Sequence, residues 1–173
     1  MFITGIYTGR RISDLVALNV RDVACVDKRR RFVIRQRLKI REVKTGKFID
    51  LILHCHVRRA LSKYLRKRKQ EAVSVGALLN EPLFRSQKPR RNGEHRLTPE
   101  SGYRILHNAA RRCGLGYEIG SHTMRKTFGY NLYNNGTNIE LIQKIFNHSH
   151  PAITLSYIGV TQDDIDDAIL SLE

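Results

Sequence analysis

The sequence predicts an α+β domain, mainly α-helical, with a small three-stranded antiparallel sheet at one edge. Three observations carry that reading. Apolar side chains recur at helical spacing in four stretches, marked by Ile12/Leu15/Val16, Val57/Leu61/Leu65, Tyr103/Leu106/Ala110 and Ile139/Ile142/Phe146. Between residues 31 and 53 the period falls to two, around a Lys44-Thr45-Gly46-Lys47 turn. The 173 residues, 41% of them hydrophobic, suit one domain with its own core.

In chain order, Phe2, Ile3, Ile6 and Tyr7 read as the last turns of a helix broken by Thr8-Gly9. Ser13 lies just inside the next helix, which puts Arg11 at a helix entrance beneath a glycine turn, aimed where an anion would bind. Strands are expected at Val23–Val26, Arg31–Leu38 and Phe48–Leu53, and an amphipathic helix at Val57–Ala72. Residues 74–97, with Pro82, Pro89, Gly76 and Gly93, read as irregular connection. Thr98-Pro99 opens a helix that Gly114 ends. Ser121 is expected to cap the next one, which ends at Asn134-Asn135-Gly136. Thr137 and Glu140 are read as a capping box for the helix closed by His148. Pro151 opens a short segment through Tyr157, and an acidic amphipathic tail follows over 161–173.

Charge narrows the function. Thirty-one Lys and Arg against 16 Asp and Glu give a net charge of +15. Folding does not need that excess, and self-repulsion opposes it; a polyanion, nucleic acid first, is the partner it implies. Lys39, Arg41, Lys47, Lys67, Arg90, Arg91 and Lys126 are the side chains assigned to DNA contact. No apolar run approaches the roughly 20 residues a membrane span needs, so no membrane partner is expected. Cys25, Cys55 and Cys113 are widely spaced and odd in number, which argues for a reducing compartment over a disulfide framework. His54-Cys55-His56 invites a metal reading. On a strand, however, these neighbours point to opposite faces, and no second ligand cluster follows at finger spacing.

The candidate chemistry lies mostly in 36 residues from His122 to Tyr157. His122 and Arg125 stand three apart at a helix N-terminus, where free N–H groups and the helix dipole favour a phosphate. His148 follows in Phe146-Asn147-His148-Ser149, and Tyr157 comes nine residues later. Upstream stand Thr8-Gly9-Arg10-Arg11-Ile12-Ser13-Asp14-Leu15 and the Lys44-Thr45-Gly46 turn. Together these resemble the tyrosine recombinase (phage integrase) family, whose catalytic domain carries T-G-x-R-[IV]-S-E-L, a hairpin lysine, H-x-x-R, L-G-H-S and then a tyrosine. Asp14 stands for the family's commoner Glu and Asn147 for its usual Gly. Arg10 beside Arg11 leaves open which guanidinium enters the site, and Lys39 and Lys47 rival Lys44 as the hairpin lysine.

The resemblance implies the tyrosine recombinase catalytic-domain fold, of the DNA breaking–rejoining type. Residues 1–173 would be the catalytic domain, starting within its first helices, with 161–173 a tail helix and the family's N-terminal core-binding domain absent. It implies that Tyr157 attacks a phosphodiester of double-stranded DNA to give a 3′-phosphotyrosyl intermediate, which a partner 5′-OH resolves. Arg11, Arg125 and His148 would hold the non-bridging oxygens, His122 would assist proton transfer from Tyr157, and Lys44 would protonate the departing 5′ oxygen. No metal, cofactor or ATP is called for. The implied setting is a bacterial or phage-encoded cytoplasmic protein at the nucleoid, monomeric in solution and tetrameric on recombination sites, with the tail packing in cis or on a neighbouring protomer. Two other classes fit the charge: a basic DNA-binding module without catalysis, and a type IB topoisomerase-like relaxing enzyme. Of the seven tyrosines, Tyr64, Tyr103, Tyr130 and Tyr133 fall on helices, and Tyr7 and Tyr117 have no histidine at useful spacing.

Overall fold

Helix α1 (Phe2–Thr8) ends at Gly9, whose φ of 62° turns the chain abruptly into α2 (Ile12–Ala17), with Arg11 at the N-cap. Glycine is required there twice over: the backbone is left-handed, and a Cβ would overlap the Phe128 ring. The computed structural model describes residues 1–116 and 119–172, with the backbone alone at positions 165 and 168. Tyr117 therefore lies outside the described residues. A short helix α3 (Val20–Val23), held by an Asn19/Asp22 capping box, leads into the strands.

The expected three-stranded sheet is two separate hairpins. Among the described residues, strand β1 (Ala24–Val26) pairs only with β2 (Phe32–Ile34), and β3 (Arg37–Arg41) only with β4 (Phe48–Ile52), both antiparallel. The alternation of residues 31–38 runs unbroken through a change of partner. Arg35 N donates to Val23 O on the first hairpin, whereas Gln36 O accepts from Leu53 N on the second. A period-two pattern cannot register that handover, because it reports faces and not neighbours.

Helix α4 (Cys55–Glu71) starts earlier than the apolar stripe suggested, with His54 as N-cap accepting from His56 N. The His54–His56 triplet is thus a helix start and not a strand, which removes the alternating-face argument made for it. Its rings pack on α1: His54 stacks on Tyr7 at 4.7 Å, and Tyr7 Oη lies 2.8 Å from His56 Nδ1. The segment read as irregular contains α5 (Val75–Asn80), capped by Ser74 Oγ on Ala77 N. Its remainder is tied down by bridges Asn19↔Pro82 and Arg85↔Arg96, and by Arg96 Nη1 donating to Ala17 O.

Helices α6 (Pro99–Arg112), α7 (Thr123–Asn134), α8 (Ile139–Phe146), α9 (Pro151–Ile158) and α10 (Gln162–Leu170) complete the chain. Two caps differ from expectation. Helix α7 has His122 as its N-cap, which makes no side-chain cap bond among the described residues; Thr123 Oγ1, not Ser121, accepts from Gly120 N. Helix α8 is capped by Asn138 and not by Thr137, because the Asn138 carboxamide accepts from Glu140 N. Ile169 and Leu172 of the tail are 60% and 78% exposed. No described helix is long and apolar enough to cross a membrane.

Among the described residues, nearly all buried apolar side chains fall in two clusters. The larger joins α2, α3, α4 and α6 to β3 through Leu15, Val20, Leu38, Val57, Leu65 and Leu106, and takes Met124 from α7. Each fully buried Leu or Val there contributes roughly 1.5–3 kcal/mol. The smaller gathers Ile142, Phe146 and Ile158, with Phe128, Leu132 and Tyr157 against them. Helix α7 serves both clusters. At Gly129 the approach is close: a Cβ would sit 2.7 Å from Ile158 Cγ2 and from the Phe146 ring. That glycine lets α9, which carries Tyr157, close onto α7.

Candidate active site

The seam between the two clusters is where the chemistry-bearing residues meet. Arg125, 1% exposed, reaches across it. Its Nη1 donates to Gly9 O and its Nη2 to Phe146 O, both at 2.7 Å, and its guanidinium lies 4.3 Å from the centre of the Phe146 ring. These bonds use two of the five N–H donors a guanidinium carries. Burial, then the neighbouring Arg10 and Arg11, push its pKa down to about 10, so it stays cationic at neutral pH.

The Arg10/Arg11 ambiguity resolves by burial. Arg10 points inward, with Nε on Thr8 O, Nη1 on Glu42 Oε1 and Nη2 on Ile145 O. Arg11 keeps 18% of its side chain exposed, and its Nη1 lies 3.0 Å from the same Glu42 oxygen. That contact is ionic but poorly aligned, and Nη1 has no hydrogen-bond partner among the described residues. Of the two, Arg11 is the one with surface left to meet a ligand.

Tyr157 sits among the remaining groups. Its hydroxyl is 2.7 Å from His122 Nδ1, and its ring meets Phe146 and His148 edge-on at 5.6 and 5.2 Å. His148 Nδ1 is 3.0 Å from the buried Thr154 hydroxyl, which fixes the imidazole against α9. Burial, then Arg125 and Arg11, depress both histidines, so each is held neutral further into acid than usual. Burial raises the Tyr157 phenol, opposed by the charges of Arg125 and Arg11 and by a hydrogen bond from Arg125. Tyr7 finds a histidine in space, His56, that its sequence neighbours do not offer. A Tyr–His contact is thus not distinctive by itself; the two arginines at Tyr157 are.

Asn147, which replaces the expected glycine before His148, adopts φ 57° as the left-handed C-cap of α8. Asparagine tolerates that conformation better than other non-glycine residues, so the departure leaves the turn intact.

The hairpin lysines are less tightly placed. Lys44 is exposed on the β3–β4 turn, and its charge acts on His122 without contact. Lys47 Nζ donates to Asn147 Oδ1 at 2.8 Å, and Lys39 Nζ lies 3.6 Å from Asp50 on the strand. Of the other cations assigned to DNA, Lys126 stands over the Tyr157 ring at 5.7 Å, and Arg41 donates to Gly46 O in the hairpin turn. Lys67 pairs with Glu71 on α4, and Arg90 with Glu94 beside the exposed Arg91.

Three residues to which the sequence reading gave no role in the site support it. Glu42 bridges Arg10 and Arg11, Asp14 Oδ1 accepts from Val43 N at 2.8 Å, and Thr154 supports His148. A signal existed for Glu42: it is the one carboxylate between Asp27 and Asp50, in a strongly basic stretch.

Comparison with known proteins agrees with this geometry. The sequence matches the phage integrase family over residues 2–163. The chain belongs to that family. It is 37% identical over 163 residues to the probable integrase/recombinase YoeC of Bacillus subtilis (strain 168), covering 94% of this chain and 77% of that protein. Among solved structures, the XerA recombinase superposes with a TM-score of 0.69 at 23% identity, over 96% of this chain and 53% of XerA. The Tn1549 transposon integrase, in complex with transposon right end DNA, gives a TM-score of 0.59 at 22% identity, over 99% and 57%. The fold is thus that of tyrosine recombinase catalytic domains, and the chain spans about half the length of both solved proteins.

Proposed function

We propose that this integrase-family chain carries the catalytic domain of a site-specific DNA recombinase, in which Tyr157 attacks a phosphodiester and becomes linked to the 3′ phosphate. One observation carries the reading: the Tyr157 hydroxyl, 2.7 Å from His122, lies where the buried Arg125 and the Arg11 cation both act on it. A phenol of pKa near 10 is a weak nucleophile at neutral pH. Here a neutral imidazole accepts its proton as the O–P bond forms, and the displaced 5′ oxygen takes a proton from Lys44. Arg11, the N–H groups of Arg125 not bound to Gly9 O and Phe146 O, and His148 stabilise the negative charge on the non-bridging oxygens. The phosphotyrosyl ester keeps the energy of the broken bond, so a 5′-OH can reverse the step without ATP. Double-stranded DNA as partner is supported by the +15 charge and by the DNA bound to the transposon integrase of the same fold.

The test is covalent trapping on a nicked suicide duplex; a wild-type chain that binds this DNA and forms no adduct overturns the proposal. The base role of His122 has its own signature. Neutral His122 is the active form, and its folded pKa is depressed, so activity is lost only as pH falls through a midpoint below the ordinary 6.5. The second-order rate of adduct formation reports this free-enzyme group. His122→Gln is expected to slow the reaction about 10²- to 10⁴-fold and to abolish that acid limb. An unchanged limb would assign it to another group.

The exposed Ile169 and Leu172 give the tail a face for a second protomer. Removing residues 161–173 is expected to leave monomers on DNA where the intact chain forms tetramers, read by light scattering of the complexes; unchanged tetramers would place the tail in cis.

A further inference from the structure

We propose that Glu42 is a positioning residue that fixes Arg11 and the Lys44 turn to one another, and that Arg10 supplies the compensating charge that leaves Arg11 free to bind an anion. The inference rests on the phosphate-binding role given above to Arg11.

A carboxylate in contact with a phosphate-binding guanidinium should be harmful, since it competes for the same cation. Glu42 is fully buried and lies 3.0 Å from Arg11 Nη1. Its neighbour Arg10 resolves the conflict. Arg10, equally buried, places Nη1 3.0 Å from the same Oε1, and its other nitrogens go to Thr8 O and Ile145 O. Those bonds point Arg10 away from any ligand and leave it only the part of counter-ion. The trio keeps one net positive charge, and that charge resides on Arg11, the one member with an exposed surface.

The second carboxylate oxygen acts on the other side. Oε2 accepts from Thr45 Oγ1 at 2.7 Å, while Glu42 O accepts from Gly46 N and Glu42 N donates to Lys47 O. The turn holding Lys44 is therefore closed around Glu42, and Asp14 pins the next residue by its backbone N–H. One buried side chain thus ties the entrance of α2 to the hairpin tip. The groups proposed to hold the phosphate and to protonate the leaving oxygen share a single support.

The test compares Arg10→Met, Arg10→Met/Glu42→Gln and Arg10→Lys in single-turnover adduct formation on the nicked duplex, with melting curves to confirm folding. Without Arg10, the carboxylate neutralises Arg11. The maximal rate is expected to fall about 10²- to 10³-fold, the scale of losing one donor to the developing charge. Half-saturating DNA should change little, because many phosphates set affinity. The double variant removes the competing charge as well and should recover to within about tenfold of wild type. Arg10→Lys keeps the charge and should do the same. A wild-type rate in folded Arg10→Met, or a double variant no faster than it, overturns the proposal. Where Arg10→Met does not fold, a larger loss in both remaining variants overturns it.

If the wild-type chain forms no adduct, the function proposed above is what fails. The positioning claim is then read without DNA, from the NMR titration of His148, on which Arg125, Arg11 and Glu42 all act. Its midpoint should be lower in the double variant than in Arg10→Met, because only the double lacks the carboxylate. An unchanged midpoint overturns the claim.

Discussion

Tyr157→Phe is expected to abolish the covalent adduct while leaving the fold and DNA binding in place. Removing the nucleophile of a preorganised site costs on the order of a millionfold in rate, below detection in any trapping assay. Little else should change. The ring keeps its edge-on contacts with Phe146 and His148, and the hydroxyl's loss removes its short contact with the exposed His122. A hydrogen bond of that kind contributes about 1 kcal/mol, so the melting temperature should move by only a few degrees. DNA affinity, set by many phosphate contacts, should stay within about twofold. The decisive readout is a denaturing gel of trapped complexes, with the linked peptide identified by mass spectrometry. An adduct that persists in Tyr157→Phe, or maps to Tyr130 or Tyr133, would remove Tyr157 from the chemistry.

The site was more legible in the sequence than the sheet. His122, Arg125, His148 and Tyr157 are displayed by α7, α8 and α9, whose apolar stripes and bounding Gly136 and Pro151 are local signals, although the caps of α7 and α8 differ from those expected. Their convergence follows once those helices pack on Phe146 and Ile158. The sheet failed for the opposite reason. Leu38 and Ile34 share a period, but they belong to different hairpins because Val23 O and Leu53 N lie on different elements, and pairing partners are non-local. Helix α5 was obscured by the prolines and glycines flanking it, although Ser74 is an ordinary N-cap. The motif spacing pointed to Arg11, but nothing local ruled out Arg10. Adjacent identical residues differ only in which way the backbone faces, and that is set by the left-handed turn at Gly9.

Replacing Arg125 should damage stability and chemistry together, by separable amounts. Arg125→Met leaves the carbonyls of Gly9 and Phe146 without their buried donors and removes the cation from the Phe146 ring. Each stranded acceptor costs about 1–3 kcal/mol, so a loss of roughly 3 kcal/mol is expected, or about 6–12 °C in melting temperature for a domain of this size. Arg125→Lys retains the charge and one of the two carbonyl bonds, and should melt between wild type and Met. Its chemistry should not be intermediate. An ammonium is a compact charge without the planar fork that spans two carbonyls and still donates to a third group. Adduct formation by Arg125→Lys should therefore fall at least 10²-fold, the scale for losing an oxyanion donor. A lysine variant with wild-type rate would show that only charge matters at this position. The Gly9 carbonyl gives the same substitution a longer reach. It immediately precedes Arg10 and Arg11, so freeing it loosens the turn that aims Arg11. Arg11 and Arg125 then act as one unit, and the variant lacking both should be hardly slower than either single one, as is usual where groups grip one centre.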